Sequence, residues 1–393
     1  MKSLINKKVK KLAVPGIRQF SNMVSQFPDA INLTIGQPDF PTPEHIKQAG
    51  IRAVENNKTG YTHNAGLIEL RSAVSEFVQT KYDLSYDPEK EIIITNGASE
   101  ALDIAFRTIL EEGCEVILPV PIYPGYEPLI ELCGAVPVYV DTTHTGFQVT
   151  ADAIAEKITE RTRCIVLPYP SNPLGTVTDA EKLIELANLL KDKKIFVLSD
   201  EIYSELVYQG QHISIASLPG MREKTIVING VSKSHSMTGW RVGFTCAPAY
   251  LSEEMLKVHL YSTISVCTIS QFAALEALTY GLHDPQEMKK EYQKRRDYTH
   301  DRLTRMGLDA ILPNGAFYLF ASIKKMGMGS FDFAIGLLEE ERVAVVPGST
   351  FSVYGEGYIR ISYASSLDVL EEGMDRLERY IKKLRESKSH VSV

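Results

Sequence analysis

The residue types best able to do chemistry in this chain are a lysine in the run Ser232-Lys233-Ser234-His235 and an arginine eight residues further on, Arg241. Asp200, followed three residues later by Tyr203, joins them. A lysine forms a Schiff base only after losing its proton, and its ordinary pKa near 10.4 lies roughly three units above neutrality. Such an amine needs a built environment. The chain also offers Asn172 in Asn172-Pro173-Leu174-Gly175, Tyr123 in Pro121-Ile122-Tyr123, and the run Asn96-Gly97-Ala98-Ser99. Together these supply an amine, a carboxylate, phenols, an amide and an anion cradle.

The elements that must position them can be read from patterning. β-branched runs at 91–95, 115–118, 136–140, 164–167, 195–199, 225–229 and 242–247 alternate with helical patterns. That alternation predicts an α/β fold, a mostly parallel sheet flanked by helices. Ligands of such sheets bind beyond the carboxyl ends of the strands. Each residue named above follows a predicted strand. Ala101, Leu102, Ala105, Phe106, Ile109 and Leu110 predict a helix over 99–112, stopped by Gly113. Further helices are predicted over 65–81 and 367–384, with 387–393 as a frayed tail and the lysine-rich 1–11 as a solvated arm. At 393 residues the chain exceeds what one core of roughly 250–300 residues fills. The expected layout is an N-terminal segment (1–44), a large domain (45–280) and a smaller α+β domain (281–393), hinged at Gly281-Leu282-His283-Asp284-Pro285.

Pyridoxal phosphate suits this set, because it accepts a lysine as an imine and acts as an electron sink. Its ring nitrogen calls for a buried carboxylate, Asp200. Its phenolic oxygen calls for donors, Asn172 and Tyr203, and its ring for a stacking face, Tyr123. Its phosphate calls for Ala98, Ser99, Ser232 and Arg241. Each residue alone has an ordinary reading: a cap for Asp200, a turn for Asn172-Pro173-Leu174-Gly175, a solvated surface for Lys233, packing for Trp240. The joint pattern does not.

Asn172-Pro173-Leu174-Gly175, Asp200 with Tyr203, and Ser232-Lys233 with Arg241 resemble the signature set of class I pyridoxal-phosphate aminotransferases, the aspartate aminotransferase-like fold type I enzymes. The similarity extends to Ile35-Gly36-Gln37-Pro38, to Gly60-Tyr61 and to Tyr358-Ile359-Arg360-Ile361-Ser362. It implies that Lys233 holds the cofactor and shuttles the proton, and that Asp200 keeps the ring nitrogen protonated. It also implies that Arg360 clamps the substrate carboxylate with Asn172, and that Gly36 lets the N-terminal segment close. Gly97 belongs to the phosphate cradle. Tyr61 reaches the neighbouring subunit's phosphate, which implies a homodimer with shared sites. Leu174 departs from the threonine often found there. The substrates implied are an L-amino acid and a 2-oxo acid, with N-acetyl-L,L-2,6-diaminopimelate and 2-oxoglutarate of lysine biosynthesis as the suggested pair. No position among Ile17, Arg18 and their neighbours declares a preference. A cysteine-conjugate β-lyase would share the same residues.

Other classes fit less well. Gly97-Ala98-Ser99-Glu100-Ala101 differs at its last position from a nucleophile elbow, but the glycine-rich oxyanion loop of a serine hydrolase using Ser99 is missing. There is no Gly-Lys dipeptide of a phosphate loop. A net charge of −7 argues against nucleic acid. Five scattered cysteines predict reduced thiols in the cytoplasm, and the nine histidines have no metal-binding spacing, so no metal is expected. No apolar run is long enough for a membrane span.

Overall fold

The computed structural model describes residues 1–12 and 16–391. Among the described residues twelve strands follow in chain order. They are β1 (Ile31–Asn32), β2 (Ile92–Thr95), β3 (Glu115–Val120), β4 (Val136–Asp141), β5 (Thr162–Pro168) and β6 (Phe196–Asp200). Then come β7 (Thr225–Gly230), β8 (Gly243–Cys246), β9 (Tyr318–Ser322), β10 (Val343–Ala344), β11 (Val346–Pro347) and β12 (Tyr358–Ser362).

All seven strands expected between residues 91 and 247 form one sheet in the order β2-β8-β7-β6-β5-β3-β4. Strands β3 to β7 pair in parallel, and β8 runs antiparallel between β7 and β2. The reason is the link after β7. Residues 231–242 contain only one short 3-10 turn, Thr238–Trp240, and no long helix. A connection without a crossover helix returns the chain in the opposite direction. The amino end of β8 therefore lies at the same edge as the carboxyl ends of its neighbours.

The interior strands β3 and β7 are buried along their whole length, as helices covering both faces require. Edge strand β4 is half exposed and carries Pro137, whose missing N–H is tolerated there. The helix Gly97–Ile109 buries Ala101, Leu102, Ala105, Phe106 and Ile109 on one face of the sheet. Truncating Phe106 to alanine would cost about 3–5 kcal/mol. The helix stops at Ile109, before Gly113, and the helix expected over 65–81 begins later, at Ile68.

Strands β11, β12 and β9 form a second, antiparallel sheet. The segment at β1 threads into this part of the molecule. β1 pairs with β10, and the Ser362 N–H donates to the Leu33 carbonyl at 2.9 Å. The core here joins Phe20, Val24 and Leu33 to Leu337, Ile361, Leu370 and Leu377. Three helices, Asp284–Arg305, Ser330–Glu341 and Leu367–Val391, surround it. The junction at 281–285 is a helix start, with Pro285 in the first turn where its missing N–H costs nothing.

One terminal expectation is corrected. The last helix continues to Val391 instead of fraying from Ser387, because no glycine or proline interrupts it; Ser392 and Val393 lie outside the described residues. The basic arm is solvated as expected, with Lys7, Lys10 and Lys11 exposed. Lys7–Lys11 forms a helical turn, and Lys8 pairs with Glu112 at 2.6 Å. Trp240 packs over Gly50 and donates to the Thr42 hydroxyl at 3.1 Å.

Candidate active site

The strand ends open into a cavity of about 300 Å³. It is lined by Gly36, Ala98, Ser99, Tyr123, Asn172, Asp200, Tyr203, Ser232, Lys233, Arg241 and Arg360, all expected from the sequence. Thr34, Leu102, Tyr126, Pro168, Pro170, Ile202, Thr238 and Tyr318 complete the wall. Two expected residues stand apart. Gly97 supports the wall from behind, and Tyr61 is 84% exposed and does not reach its own chain's cavity.

One end is an anion cradle. The helix Gly97–Ile109 begins there without a side-chain cap from Asn96, so its first N–H groups remain donors. Gly97 has φ +74°, and a Cβ at this position would come within 2.3 Å of the Arg241 guanidinium. The absence of a side chain is what lets the arginine lie flat on this backbone. Arg241 is held by the carbonyls of Thr238 at 3.0 Å and Asn96 at 3.4 Å. Gly243 lets the two segments touch, since a Cβ there would meet the Ala98 nitrogen at 2.7 Å.

Lys233 lies in the middle, its amine donating to the Gly36 carbonyl at 2.5 Å. Burial, with Arg241 and Arg360 nearby, pulls its pKa down to about 8, while Asp200 opposes the fall. The electrostatic half of the problem posed by a covalent lysine is thus solved by the site itself. Asp200 is buried, and burial raises its pKa; the hydroxyl of Tyr126 donates to its Oδ2 at 2.7 Å and pulls the other way. Tyr126 is a site residue that sequence reasoning missed. No helical spacing signals it, because Tyr123 lies in the loop before the helix that begins at Tyr126; the two rings meet edge to face at 5.5 Å.

The other end is a buried guanidinium. Arg360, on the central strand β12, is buried. It donates to Asn172 Oδ1 at 2.9 Å and to the Thr34 carbonyl at 2.5 Å. Its Nε is buried with no partner. An unpaired donor on a buried guanidinium is costly unless a ligand completes it. Asn172 keeps its amide N–H groups as donors, since its oxygen is taken. Gly175 (φ +67°) explains the end of the Asn172-Pro173-Leu174-Gly175 run. A Cβ there would come within 2.6 Å of the Tyr318 carbonyl, so only glycine admits this approach of the two sheets. Tyr318, also missed, stacks under Arg360 with the guanidinium carbon 4.5 Å from its ring centre. Its hydroxyl meets that of Tyr203 at 2.7 Å. Ser99 lines the cavity but no histidine does so among the described residues, which leaves a serine hydrolase without its base. Among those residues, too, no group of three or more His, Cys, Asp or Glu could hold a metal.

An anion cradle, a lysine with a lowered pKa, a buried carboxylate and a buried arginine with one unpartnered N–H suit a pyridoxal-phosphate-dependent transferase of amino groups. The chain belongs to that family: it matches "Aminotransferase class I and II" over residues 28–377. It is 56% identical over 392 residues, the whole of this chain and 99% of the relative, to a probable N-acetyl-LL-diaminopimelate aminotransferase of Bacillus subtilis. An aspartate aminotransferase of Pyrococcus abyssi is 41% identical over 93% of this chain and 95% of its own. Among solved structures, the aspartate aminotransferase of Thermus thermophilus with maleate superposes with a TM-score of 0.92 at 35% identity, covering 96% of this chain and 99% of that one. The protein is therefore a pyridoxal-phosphate-dependent aminotransferase of fold type I. The cavity suits that cofactor. The cradle cut by Gly97 matches a phosphate, and the donors and the buried acid suit the polar atoms of the ring.

Proposed function

We propose that this aminotransferase moves an amino group between N-acetyl-L,L-2,6-diaminopimelate and 2-oxoglutarate, a step of lysine biosynthesis carried out in the cytoplasm. Whole-length identity of 56% to a relative bearing that activity in its name supports the choice. The bound cofactor supplies an electron sink for the bond broken at the substrate's Cα. In this reading Lys233 holds the cofactor covalently, and its amine then carries the proton at Cα. Asp200 keeps a proton on the ring nitrogen. Asn172 and Tyr203 donate to the phenolic oxygen, and Tyr123 covers the ring. Gly97, Ala98, Ser99, Ser232 and Arg241 hold the phosphate. Arg360 receives the substrate carboxylate through its unpartnered Nε, the observation that carries the reading of this end as the substrate end.

Tyr61, exposed on this chain, completes the phosphate site of a second copy in a homodimer. The segment 1–44 and the domain 281–393 close together over the large domain, 45–280. No helix among the described residues is long and apolar enough to cross a membrane. The test is glutamate formation from the acetylated compound and 2-oxoglutarate by the purified holoenzyme. Strong activity on aspartate or aromatic donors with none on the acetylated compound would replace this substrate. Release of pyruvate from cysteine conjugates without amino transfer would favour the lyase.

A further inference from the structure

The hydroxyls of Tyr203 and Tyr318 face each other at 2.7 Å in the cavity wall, and neither has another hydrogen-bond partner among the described residues. Two hydroxyls carry two protons and share one hydrogen bond. One proton is therefore fixed between the rings and the other is left for the cavity. Which one is left depends on which phenol is the better donor.

The charges around the pair decide it. Arg360 lies over the Tyr318 ring at 4.5 Å, and a cation on a ring face draws electron density from the oxygen. Burial raises the pKa of Tyr318, with Arg360 the largest force against the rise. Burial lifts Tyr203 well above the ordinary phenol value and the Tyr318 oxygen adds to the rise; Arg360 opposes it here too, but without lying on the Tyr203 ring, and Asp200 works against Arg360. Tyr318 is the stronger donor and Tyr203 the stronger acceptor. Tyr203 is also the ring beside the reactive amine, with Lys233 Nζ 5.8 Å from its centre.

We infer that Tyr318 donates its proton to the Tyr203 oxygen, which turns the Tyr203 proton outward to the phenolic oxygen of the cofactor held on Lys233. Tyr318 is then a positioning residue that acts through Tyr203. It stands where the N-terminal segment also meets the site, since a Cβ on Gly36 would come within 2.8 Å of its hydroxyl. The charged and titratable groups facing the pair are Asp200 from β6, Lys233 from the loop after β7, Arg360 from β12 and Tyr123 from the loop after β3. This inference rests on the placement of Tyr203 proposed above.

The experiment follows the visible absorbance of the holoenzyme's bound cofactor against pH. The change reports the proton shared between the Lys233 nitrogen and the phenolic oxygen. A donor to that oxygen disperses its charge and loosens the proton, so losing the donor raises the midpoint. Tyr203→Phe should raise it by about one pH unit, the effect of one hydrogen bond to a charged oxygen. Tyr318→Phe keeps the ring under Arg360 and should raise it by about 0.3 of a unit, since a linked bond is strengthened by roughly 10–30%. The double variant should match Tyr203→Phe alone. An unchanged midpoint in Tyr318→Phe beside a raised one in Tyr203→Phe would overturn the relay, as would shifts that add in the double variant. No shift in Tyr203→Phe would instead remove the placement of Tyr203 itself, and the relay with it.

Discussion

The two ends of the cavity are built on opposite plans. At the phosphate end the charged group, Arg241, is exposed, and its cradle is backbone: the start of a helix and glycines at positions 97 and 243. At the carboxylate end Arg360 is buried and surrounded by side chains from three remote parts of the chain, Thr34, Asn172 and Tyr318. A group that stays bound through the reaction can be gripped by a fixed backbone surface. A substrate that arrives and leaves every turnover is better met by a desolvated charge, which distinguishes it strongly but must be completed by each visitor. Lys233 sits between the two ends and feels both arginines.

Removing the amine between the ends gives the largest effect. Lys233→Ala should abolish covalent retention of the cofactor and lower turnover by about a thousandfold or more, because both the tether and the proton carrier are lost. Borohydride treatment followed by peptide mapping reads the tether directly. Reduction product on any other lysine would break the assignment.

At the carboxylate end, Arg360→Lys keeps the charge but loses the fork that holds Asn172 and the Thr34 carbonyl. Losing hydrogen bonds of a buried charged group in this way costs about 1.5–3 kcal/mol, so kcat/KM should fall by about tenfold to a hundredfold. Cofactor affinity should change little. Equal losses in both would mean that the two ends are not separate sites.

At the phosphate end, Gly97→Ala should show the reverse split. The new Cβ meets the Arg241 guanidinium, which is the free end of a side chain and can move aside, while the positive φ adds strain of about 1–2 kcal/mol. Cofactor affinity measured by equilibrium dialysis should drop by about tenfold, with the substrate KM of the saturated enzyme nearly unchanged. A raised KM with normal cofactor affinity would contradict the division.

The same contrast explains what could be read in the sequence. The phosphate end, Lys233 and Asp200 come from short contiguous runs that directly follow β-branched strands, so order along the chain already placed them on one edge. Arg360 was reachable through resemblance, but its strand partner β9 was not identified: Asn314-Gly315 marks a turn before it, yet Ala316-Phe317-Tyr318-Leu319-Phe320 is continuous apolar sequence without alternation, which periodicity alone does not separate from a buried helix segment. Tyr318 was therefore invisible as a site residue: nothing local states that a core strand's hydroxyl will meet Tyr203. Tyr126 was hidden for a similar reason, since its role depends on Asp200, 74 positions away. The side chains of Ile17 and Arg18 lie outside the described residues. Tyr61 is the opposite case, a residue whose local motif stands out but whose own chain gives it no part in the cavity.

The smallest effect lies in pH and tests whether both arginines act on the amine. In the cofactor-free protein the Lys233 pKa is lowered to about 8 by burial, then by Arg241 and Arg360. Only the neutral amine captures an aldehyde, so the rate of capture of added pyridoxal phosphate should rise about tenfold between pH 7 and pH 9 and level off above. Stability moves the same way over a higher window. The unfolded chain keeps this proton up to about 10.4, whereas the folded chain releases it near 8. The unfolded state therefore binds more protons between those values, and the contribution of Lys233 to stability increases as pH rises through them. Arg241 lowers the Lys233 pKa more than Arg360 does, so in Arg241→Gln the capture midpoint should move up toward the ordinary lysine value. Arg360→Gln should do the same by less. A midpoint above 10 in the unsubstituted protein would show that neither burial nor the arginines govern the amine, and the two ends would then be independent of the residue between them.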